Sequence, residues 1–286
     1  MQLSIIIINY NTFTLTCKCI ESVHQKLTGV KYEIVLVDNA STECNPQLFS
    51  ERFPTIKLVS SATNTGFAGG NNMGIQHAEG EVILLLNSDT ELINNAPFIC
   101  LDYLRQHKEA GIVTGQLFYP DGAIQYNCRR FRTITWELLE VFPFYKLLPK
   151  VKWEHLMLHH YFDHQGFAVC DWVWGTFMMF RKNIIEQLPQ KKLSEDFFMY
   201  SEDVLWCWEI KQLGYQVHFL PQAKIMHVHK GSTSKERLKK IRFMSIKNHG
   251  KFMKKFYPDF RWYIFAAIYY TKQYSAFWLA GIFKKL

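Results

Sequence analysis

Four strand-length apolar runs alternate with helical patterns over the first ninety residues of this chain. The runs are Leu3 to Ile8, Glu33 to Val37, Ile56 to Val59 and Val82 to Leu86. Between the first two runs apolar residues recur at helical spacing, and a glycine-rich segment between the last two can form another helix. Strands that alternate with helices pair in parallel and are covered on both faces. The sequence therefore predicts an α/β fold, Rossmann-like, with a mostly parallel sheet.

The fourth run ends in a short polar turn, Asn87-Ser88-Asp89, that carries one carboxylate. An acid at the carboxyl end of a buried parallel strand lies where open α/β sheets bind ligands. Asp89 is therefore a candidate ligand for Mg²⁺ or Mn²⁺, which prefer oxygen ligands and bridge nucleotide phosphates. Neither a G-x-x-x-x-G-K-[ST] phosphate loop nor a G-x-G-x-x-G fingerprint occurs, which argues against a P-loop protein and an NAD-linked oxidoreductase.

Two further segments are candidates for nucleotide contact. Asp38 follows the second apolar run, and an acid there can accept hydrogen bonds from a ribose hydroxyl or a base N–H. A structural role in a turn or as a helix cap explains an aspartate at position 38 equally well. The segment from Asn64 to Gly74 is dense in glycine and opens a predicted helix. Its backbone N–H groups and asparagine side chains can approach a ligand closely.

A second acidic pair, Glu202 and Asp203, occupies the first turn of a predicted helix that begins after Ser201 and ends at Gly214. Ser201 is the expected N-cap residue. The helix macrodipole favours acids at this position for structural reasons alone. The same dipole helps to keep a carboxylate ionised, as a general base requires. Position alone leaves both interpretations open.

His227 and His229 alternate along a predicted strand, so both imidazoles would lie on one face. One of them could coordinate a metal or contact a pyrophosphate. Most single histidines do neither. A functional role for His227 or His229 therefore depends on whether Asp89 binds a metal.

The cysteine content indicates a reducing compartment. Seven cysteines occur without a C-x-x-C pair, which favours neither a disulfide framework nor a zinc site. The first apolar run is too short for a signal peptide or a spanning helix. We therefore expect the catalytic part to be cytoplasmic.

Positive charge is concentrated near the C-terminus. Residues 224–286 contain 15 Lys and Arg against two Asp and Glu, whereas residues 1–223 contain 18 against 23. The last residues interleave this charge with Trp, Tyr and Phe, which suits the headgroup layer of an anionic membrane, here its inner face. The alternative is a helix that packs its aromatic face on the protein's own core. A nucleic-acid partner is not expected, because it would not need so many aromatic residues there.

The regular alternation stops after Asp89. Residues 120–122 (Pro-Asp-Gly) predict a hairpin turn, and a region without clear periodicity follows. We predict a domain over residues 1–235, with a nucleotide-binding half (1–90) and an acceptor half (91–235). Residues 236–286 are predicted to form a basic, aromatic helical tail.

Taken in order, these motifs resemble those of the family 2 glycosyltransferases of the GT-A fold, and most of all the rhamnosyltransferase-like branch. The matching segments lie between residues 3 and 235 in family order. They are Ser4 to Asn11, Val37 to Ser41, Asn64 to Asn72, Leu86 to Asp89, Asp171 to Gly175, Glu202 with Asp203, and His227 to Ser232.

The resemblance implies a metal-assisted, inverting transfer of a sugar from a nucleotide diphosphate to an alcohol of a glycan or lipid-linked acceptor. Asp203 would be the general base, with Glu202 beside it. Asp89, the acid of the family's D-x-D motif, would bind Mg²⁺ or Mn²⁺, with His227 facing the metal or the diphosphate. Trp174 and Gly175 would lie in the loop between donor and acceptor. The residues implied to line the nucleotide are Asn9, Tyr10, Asp38, Asn64 and Asn71.

The chain departs from the D-x-D pattern at Asn87, which can still offer a neutral oxygen. Two rival interpretations remain open. A nucleotidyltransferase also uses an acidic metal site on an α/β sheet, but it would carry a glycine-rich basic loop after the first strand. A non-catalytic sugar- or lipid-binding module could keep the fold without the activity.

Overall fold

The computed structural model describes residues 1–228 and 235–282, with the side chains of the C-terminal helices described over 239–275. His229 and the rest of the motif up to Ser232 lie outside the described residues. The described strands are β1 (Leu3–Asn9), β2 (Tyr32–Asp38), β3 (Lys57–Ser60), β4 (Val82–Asn87), β5 (Thr90–Leu92), β6 (Ala110–Phe118), β7 (Ile124–Gln125), β8 (Ala168–Cys170), β9 (Phe177–Arg181) and β10 (Gln216–His227).

These strands form a mixed sheet whose main order is β3-β2-β1-β4-β9-β6-β10-β5, with β7 paired to β6 and β8 paired to β10. β1 lies between β2 and β4 and is parallel to both, so Asn9 pairs with Asp38 and Ile8 with Asn87. β9 is antiparallel to β4 and β6, whereas β6 and β10 are parallel. The edge strand β5 is antiparallel to β10. The carboxyl ends of β1, β2 and β4 therefore meet at one edge, as the sequence predicts.

Helices cover both faces of the sheet. They are α1 (Phe13–Lys26), α2 (Gln47–Arg52), α3 (Gly66–Gln76), α4 (Ala96–Gln106), α5 (Ile134–Val141), α6 (Lys150–Met157), α7 (Glu202–Gln212), α8 (Lys235–Phe256) and α9 (Arg261–Ile282), with 3₁₀ turns at Phe144–Leu147, His159–Tyr161 and Lys182–Gln187. Side chains alternate along each strand, so Ile5 and Ile7 face one core and Ile6 the other. The predicted α/β fold with helices on both faces is confirmed.

The predicted hairpin is also confirmed. β6 and β7 pair in antiparallel register, with Leu117 opposite Gln125 and Phe118 opposite Ile124. The Tyr119 carbonyl accepts a hydrogen bond from Gly122 N–H at 2.9 Å, which closes the turn.

The two C-terminal helices pack on the domain. Phe252 and Met253 of α8 and Phe265 and Tyr269 of α9 are buried in the core that also contains Ile6. For these side chains, the alternative in which the tail packs on the protein's own core is the one observed. Over the described residues no helix is long and apolar enough to cross a membrane. The predicted domain boundary at residue 235 stays a prediction.

Candidate active site

The carboxyl ends of β1 and β2 are joined by a buried polar network around Asn9. The Asn9 amide donates to Asp38 Oδ2 and to Ser41 Oγ, both at 2.8 Å, and its Oδ1 accepts from Thr16 Oγ1 at 2.8 Å. Ser41 N–H donates to Asp38 Oδ1 at 3.1 Å. Asn9 and Asp38 are both buried. The side chain of Asn9 therefore holds the Asp38 carboxylate in place, as an unpaired buried acid would be costly.

Asn39 connects the end of β2 to the glycine-rich segment. Its Oδ1 accepts from Thr65 N–H at 3.0 Å, and its amide donates to the Gly66 carbonyl at 3.0 Å and to Asn64 Oδ1 at 3.2 Å. Gly66 has φ +73°, and a Cβ there would lie 2.4 Å from the Phe198 carbonyl oxygen. Only glycine fits this close approach. The sequence motif contained Asn39, but its role as the connecting residue had been missed.

The other two predicted nucleotide contacts differ in exposure. Tyr10 follows β1 directly and is 45% exposed, so its ring is open to a ligand at the sheet edge. Asn71 is buried in α3, where its amide donates to the Phe67 carbonyl at 2.9 Å. This hydrogen bond connects two residues of the same helix, α3.

Asp89 and His227 face each other at the far side of the same edge. Asp89 Oδ1 lies 3.3 Å from His227 Nε2. Gln125 Oε1 lies 2.8 Å from His227 Nδ1, while its Nε2 donates to the His227 carbonyl at 2.7 Å. Because the amide nitrogen of Gln125 is already a donor, its oxygen must accept the proton of Nδ1. With Nδ1 turned toward Gln125, Nε2 is the ring nitrogen that faces the Asp89 carboxylate.

This donor pair fits a divalent cation. Histidines that bind metals donate their other ring N–H to an oxygen, as His227 does to Gln125. No group of three or more His, Cys, Asp and Glu that could hold a metal occurs in the described part of the chain. Mg²⁺ in nucleotide sites needs only one or two protein ligands, because substrate phosphates and water complete its shell.

The acidic pair at the start of α7 is split into two protonation states. Asp203 Oδ1 accepts from Val204 N–H at 2.8 Å and Oδ2 from Gly175 N–H at 3.4 Å. Burial raises the pKa of Asp203 to about 6, although these hydrogen bonds and the Arg129 cation oppose the rise. Burial and the charge of Asp203 raise the pKa of Glu202 to about 8. At neutral pH Asp203 is therefore ionised and Glu202 is neutral.

The helix begins at Glu202 as predicted, but Ser201 does not cap it through its side chain. Ser201 has φ +80° and Tyr200 has φ +67°, so two consecutive non-glycine residues adopt the left-handed conformation. Ser201 hence cannot turn its hydroxyl to the first turn as an extended N-cap residue does. Such strained backbone persists only where its surroundings hold it.

Arg129 is a site residue that sequence reasoning missed. Its guanidinium carbon lies 5.2 Å from the ring centroid of Trp172 and 5.0 Å from that of Trp174. Burial lowers its pKa to about 10, and the Asp203 carboxylate opposes the change, so Arg129 remains a cation at neutral pH. The only sequence signal was its place in the basic run from Cys128 to Arg132, which lies in the region without clear periodicity.

The loop at Trp174 and Gly175 joins the two sides of the site. The ring centroids of Trp174 and His227 are 6.4 Å apart, and Gly175 N–H contacts Asp203. Asn87 N–H donates to the Thr176 carbonyl at 2.9 Å, which fixes the loop to the end of β4. The Asp89–His227 pair and an ionised carboxylate thus lie on either side of one loop. Such a site can stabilise an anionic leaving group while it removes a proton from a nucleophile.

The fold belongs to a known class, the GT-A glycosyltransferases. A mannosyltransferase from Pyrobaculum calidifontis, solved in complex with GDP-Man and Mn²⁺, superposes with a TM-score of 0.61 at 17% identity and covers 90% of this chain. Staphylococcus aureus TarS (residues 1–349) superposes with a TM-score of 0.55 at 16% identity and covers 87% of this chain. At these identities the likeness concerns the fold alone.

The sequence comparison shows the family. The family described as "Glycosyl transferase family 2" matches residues 4–189, and the chain belongs to this family. A similar protein is the low-salt glycan biosynthesis hexosyltransferase Agl10 of Haloferax volcanii, 30% identical over 74% of this chain. Another is the N-acetylglucosaminyl-diphospho-decaprenol L-rhamnosyltransferase of Mycobacterium tuberculosis, 22% identical over 71% of this chain.

The matches extend over only part of these relatives. The matched region spans 62% of the Haloferax protein, 68% of the Mycobacterium protein and 64% of the Pyrobaculum chain. The predicted membership of family 2, with a rhamnosyltransferase among the relatives, is confirmed.

Proposed function

We propose that this protein transfers a hexosyl or deoxyhexosyl group from a nucleotide-diphosphate donor to an alcohol of a glycan or lipid-linked acceptor, with inversion at the anomeric carbon. The observation that carries the proposal is the ionised Asp203 at the loop of Trp174 and Gly175, with the Asp89–His227 pair on the other side. In an inverting transfer the base and the leaving group act on opposite faces of the sugar, so no covalent intermediate is required.

Asp203 acts as the general base. A pKa of about 6 leaves it ionised at neutral pH yet basic enough to accept the proton of the acceptor hydroxyl as the new bond forms. Arg129 stabilises the ionised form from the side of Trp174. Neutral Glu202 adds no second negative charge beside the base.

Asp89 and His227 Nε2 would hold Mg²⁺ or Mn²⁺. When bound, this cation neutralises negative charge on the departing diphosphate. The nucleotide would lie at the edge formed by β1, β2 and α3, with Asp38 accepting hydrogen bonds and Tyr10 offering an exposed ring. Asn64 shapes the glycine segment through Gly66 N–H, and Asn9 holds Asp38 in position. Asn71 would contribute from α3.

The acceptor and the location of the protein belong to the same proposal. The name of the Mycobacterium relative describes a lipid-linked acceptor, and that of the Haloferax relative describes glycan biosynthesis. A protein that glycosylates such acceptors for the cell envelope works at the membrane surface. The basic, aromatic composition of residues 224–286 supports a cytoplasmic protein in peripheral contact with anionic lipid, and no nucleic-acid partner.

A screen of nucleotide sugars by thermal shift, with and without Mn²⁺, tests donor and metal together. A bound donor raises the melting temperature by mass action. We expect one nucleotide sugar to give the largest shift, and Mn²⁺ to increase it. If no nucleotide sugar shifts the melting temperature under either condition, the proposal fails.

Replacement of the base separates catalysis from binding. Asp203→Asn should retain the donor-induced thermal shift and lose about 10²–10⁴-fold in transfer rate, the contribution usual for a general base. Glu209→Gln, on the same helix two turns further on, is the matched control and should keep both. A wild-type protein that binds donor but transfers to no acceptor would instead support the binding-module alternative.

A further inference from the structure

Residues 138–152, here called the apolar segment, expose an unusual number of large apolar side chains. Leu147 is 86% exposed, Val151 69% and Phe144 68%. Further members above 40% exposure are Leu138, Val141, Phe142 and Leu148. Single exposed apolar residues are common on protein surfaces, but seven within one fifteen-residue segment are typical of an interaction site.

The apolar segment is anchored rather than loose. Tyr145 is buried against Trp136 and Met157 in a small satellite core, and its ring lies 5.6 Å from that of Trp153. The buried Tyr145 therefore fixes the backbone of the apolar segment, and the apolar side chains around it point to solvent. Their exposure is a property of the fold, because the aromatic residue between them points inward.

The charge of the apolar segment is positive toward solvent. Lys146, Lys150 and Lys152 are exposed. Glu140 is 15% exposed at its side chain and is paired with Lys272 and Arg132. Apolar side chains beside exposed lysines match an anionic lipid surface, in which the former enter the acyl boundary and the latter meet the headgroups.

The apolar segment emerges beside the proposed catalytic site. Arg129, which stacks on Trp174, forms backbone bridges with Leu158 on one side and Trp172 on the other. The stretch of chain from Arg129 to Leu158, which contains the apolar segment, thus begins and ends next to Arg129. Lys272 of α9 pairs with Glu137 of α5 at 2.9 Å, so the beginning of this stretch is also fixed to the tail.

We propose that the apolar segment inserts into an anionic bilayer, and that it, rather than the exposed face of α9, is the main membrane contact. Resting on the proposed function, this contact would place the Arg129 and Asp203 side of the site at the bilayer surface, where a lipid-linked acceptor lies. The charge of the three lysines favours lipid over an apolar protein partner, whose interface core would be depleted in lysine.

Flotation with vesicles tests the proposal without any turnover. The full chain is mixed with vesicles of phosphatidylcholine alone or with about one third phosphatidylglycerol, and the floated fraction is measured. We expect wild type to float with anionic vesicles and less so at high salt, because the lysine contribution is screened. Phe144→Ser, Leu147→Ser and Val151→Ser combined should lower the apparent affinity at least about tenfold.

The matched control is Phe260→Ser with Tyr263→Ser, which removes two aromatic side chains of the tail that are 70% and 75% exposed. This variant should float like wild type. A second variant, Lys146→Gln, Lys150→Gln and Lys152→Gln combined, should lose the preference for anionic vesicles. Because all its changes lie at the surface, it also tests the proposal if the serine variant folds poorly.

Three outcomes would overturn the proposal. The first is that wild type floats with neither vesicle, and the second is that the serine variant floats as well as wild type. The third is that sedimentation shows a wild-type dimer that the serine changes dissociate, with no vesicle binding, which would make the apolar segment an interface between copies. Transfer to a water-soluble acceptor reports the proposed function separately, and the serine variant should retain it.

Discussion

At the scale of single residues, the site depends on two neighbouring carboxyls that differ in protonation. Glu202 is 6% exposed, and its Oε2 has no hydrogen-bond partner in the described structure, so its charged form is penalised. Asp203 accepts two backbone hydrogen bonds and faces the Arg129 cation, which favour its charged form. The difference in environment produces one neutral and one ionised acid from adjacent positions.

Replacing Arg129 should move the acid limb of the pH–rate profile. Wild-type transfer should rise as pH increases through about 6, because Asp203 must lose its proton to act as base. Below that pH the rate falls about tenfold for each unit. Arg129→Gln removes a cation that lowers the pKa of Asp203, so the limb should shift to higher pH. The measurement is kcat against pH at saturating donor.

Arg129→Lys is the control for this experiment. It keeps the charge but loses the planar stacking on Trp172 and Trp174. Its acid limb should stay near that of wild type even if the rate falls. An unchanged limb in Arg129→Gln would show that Arg129 does not tune the base.

Removing the charge of Glu202 should stabilise the fold at alkaline pH. The folded-state pKa of about 8 lies above the ordinary value of 4.5, so the folded protein holds a proton that the unfolded chain releases in that window. The contribution of Glu202 to the free energy of unfolding is fully present below about pH 4.5 and is lost as the pH rises toward 8. Glu202→Gln should therefore melt higher than wild type by a margin that grows from pH 5 to pH 8.5. A constant margin would contradict the assignment.

At the scale of elements, the site depends on close packing between the 174–176 loop and α3. A Cβ on Gly175 would lie 2.7 Å from Phe67 Cε1. The Phe67 ring is stacked on buried Trp206, with centroids 5.8 Å apart, so it has little room to withdraw. The loop can therefore present Gly175 N–H to Asp203 only because no side chain intervenes.

Gly175→Ala should displace the loop and weaken the contact with Asp203. A misplacement of about 1 Å near the reacting groups costs on the order of 10²-fold, so we expect transfer to fall by about 10–100-fold while the fold is retained. Gly166→Ala is the control, because no atom lies within 4 Å of its added Cβ and its φ is not positive. Equal activity of the two variants would contradict this account of the loop.

At the scale of the whole molecule, the C-terminal helices share a hydrophobic core with the sheet. Phe252, Phe265 and Tyr269 share the core beneath the sheet. Asn248 of α8 donates to the Met199 and Tyr200 carbonyls at 2.9 and 3.1 Å. The tail thus holds the strained backbone that leads into Glu202 and Asp203.

Deleting residues 259–286 should destabilise the protein. Losing the buried Phe265 and Tyr269 resembles two large-to-small core changes, each worth about 3–5 kcal/mol, so the melting temperature should fall by more than about 10 °C. Phe260→Ser with Tyr263→Ser is the control and should melt like wild type, because both side chains are exposed. A truncated protein that melts with wild type would show that α9 is dispensable for the core.

The sequence by itself determined the first four strands, the helices that alternate with them and the places where acids follow these elements. These features are local: the apolar runs around Ile6 and Leu84 are continuous and have the length of a buried strand, and Asp89 and Asp203 follow recognisable element boundaries. Ser201 occupies the predicted N-cap position, but its side chain makes no capping hydrogen bond, because its backbone is in the left-handed conformation.

Only the tertiary structure decided which side chains complete the site. Asn9 holds Asp38 across 29 residues, Gln125 orients His227 across 102, and Arg129 faces Asp203 from a region without periodicity. It also decided that Phe252 and Phe265 are buried while the apolar segment is exposed. Burial and hydrogen bonding between distant residues depend on how the elements pack, and no periodicity along the chain encodes that packing.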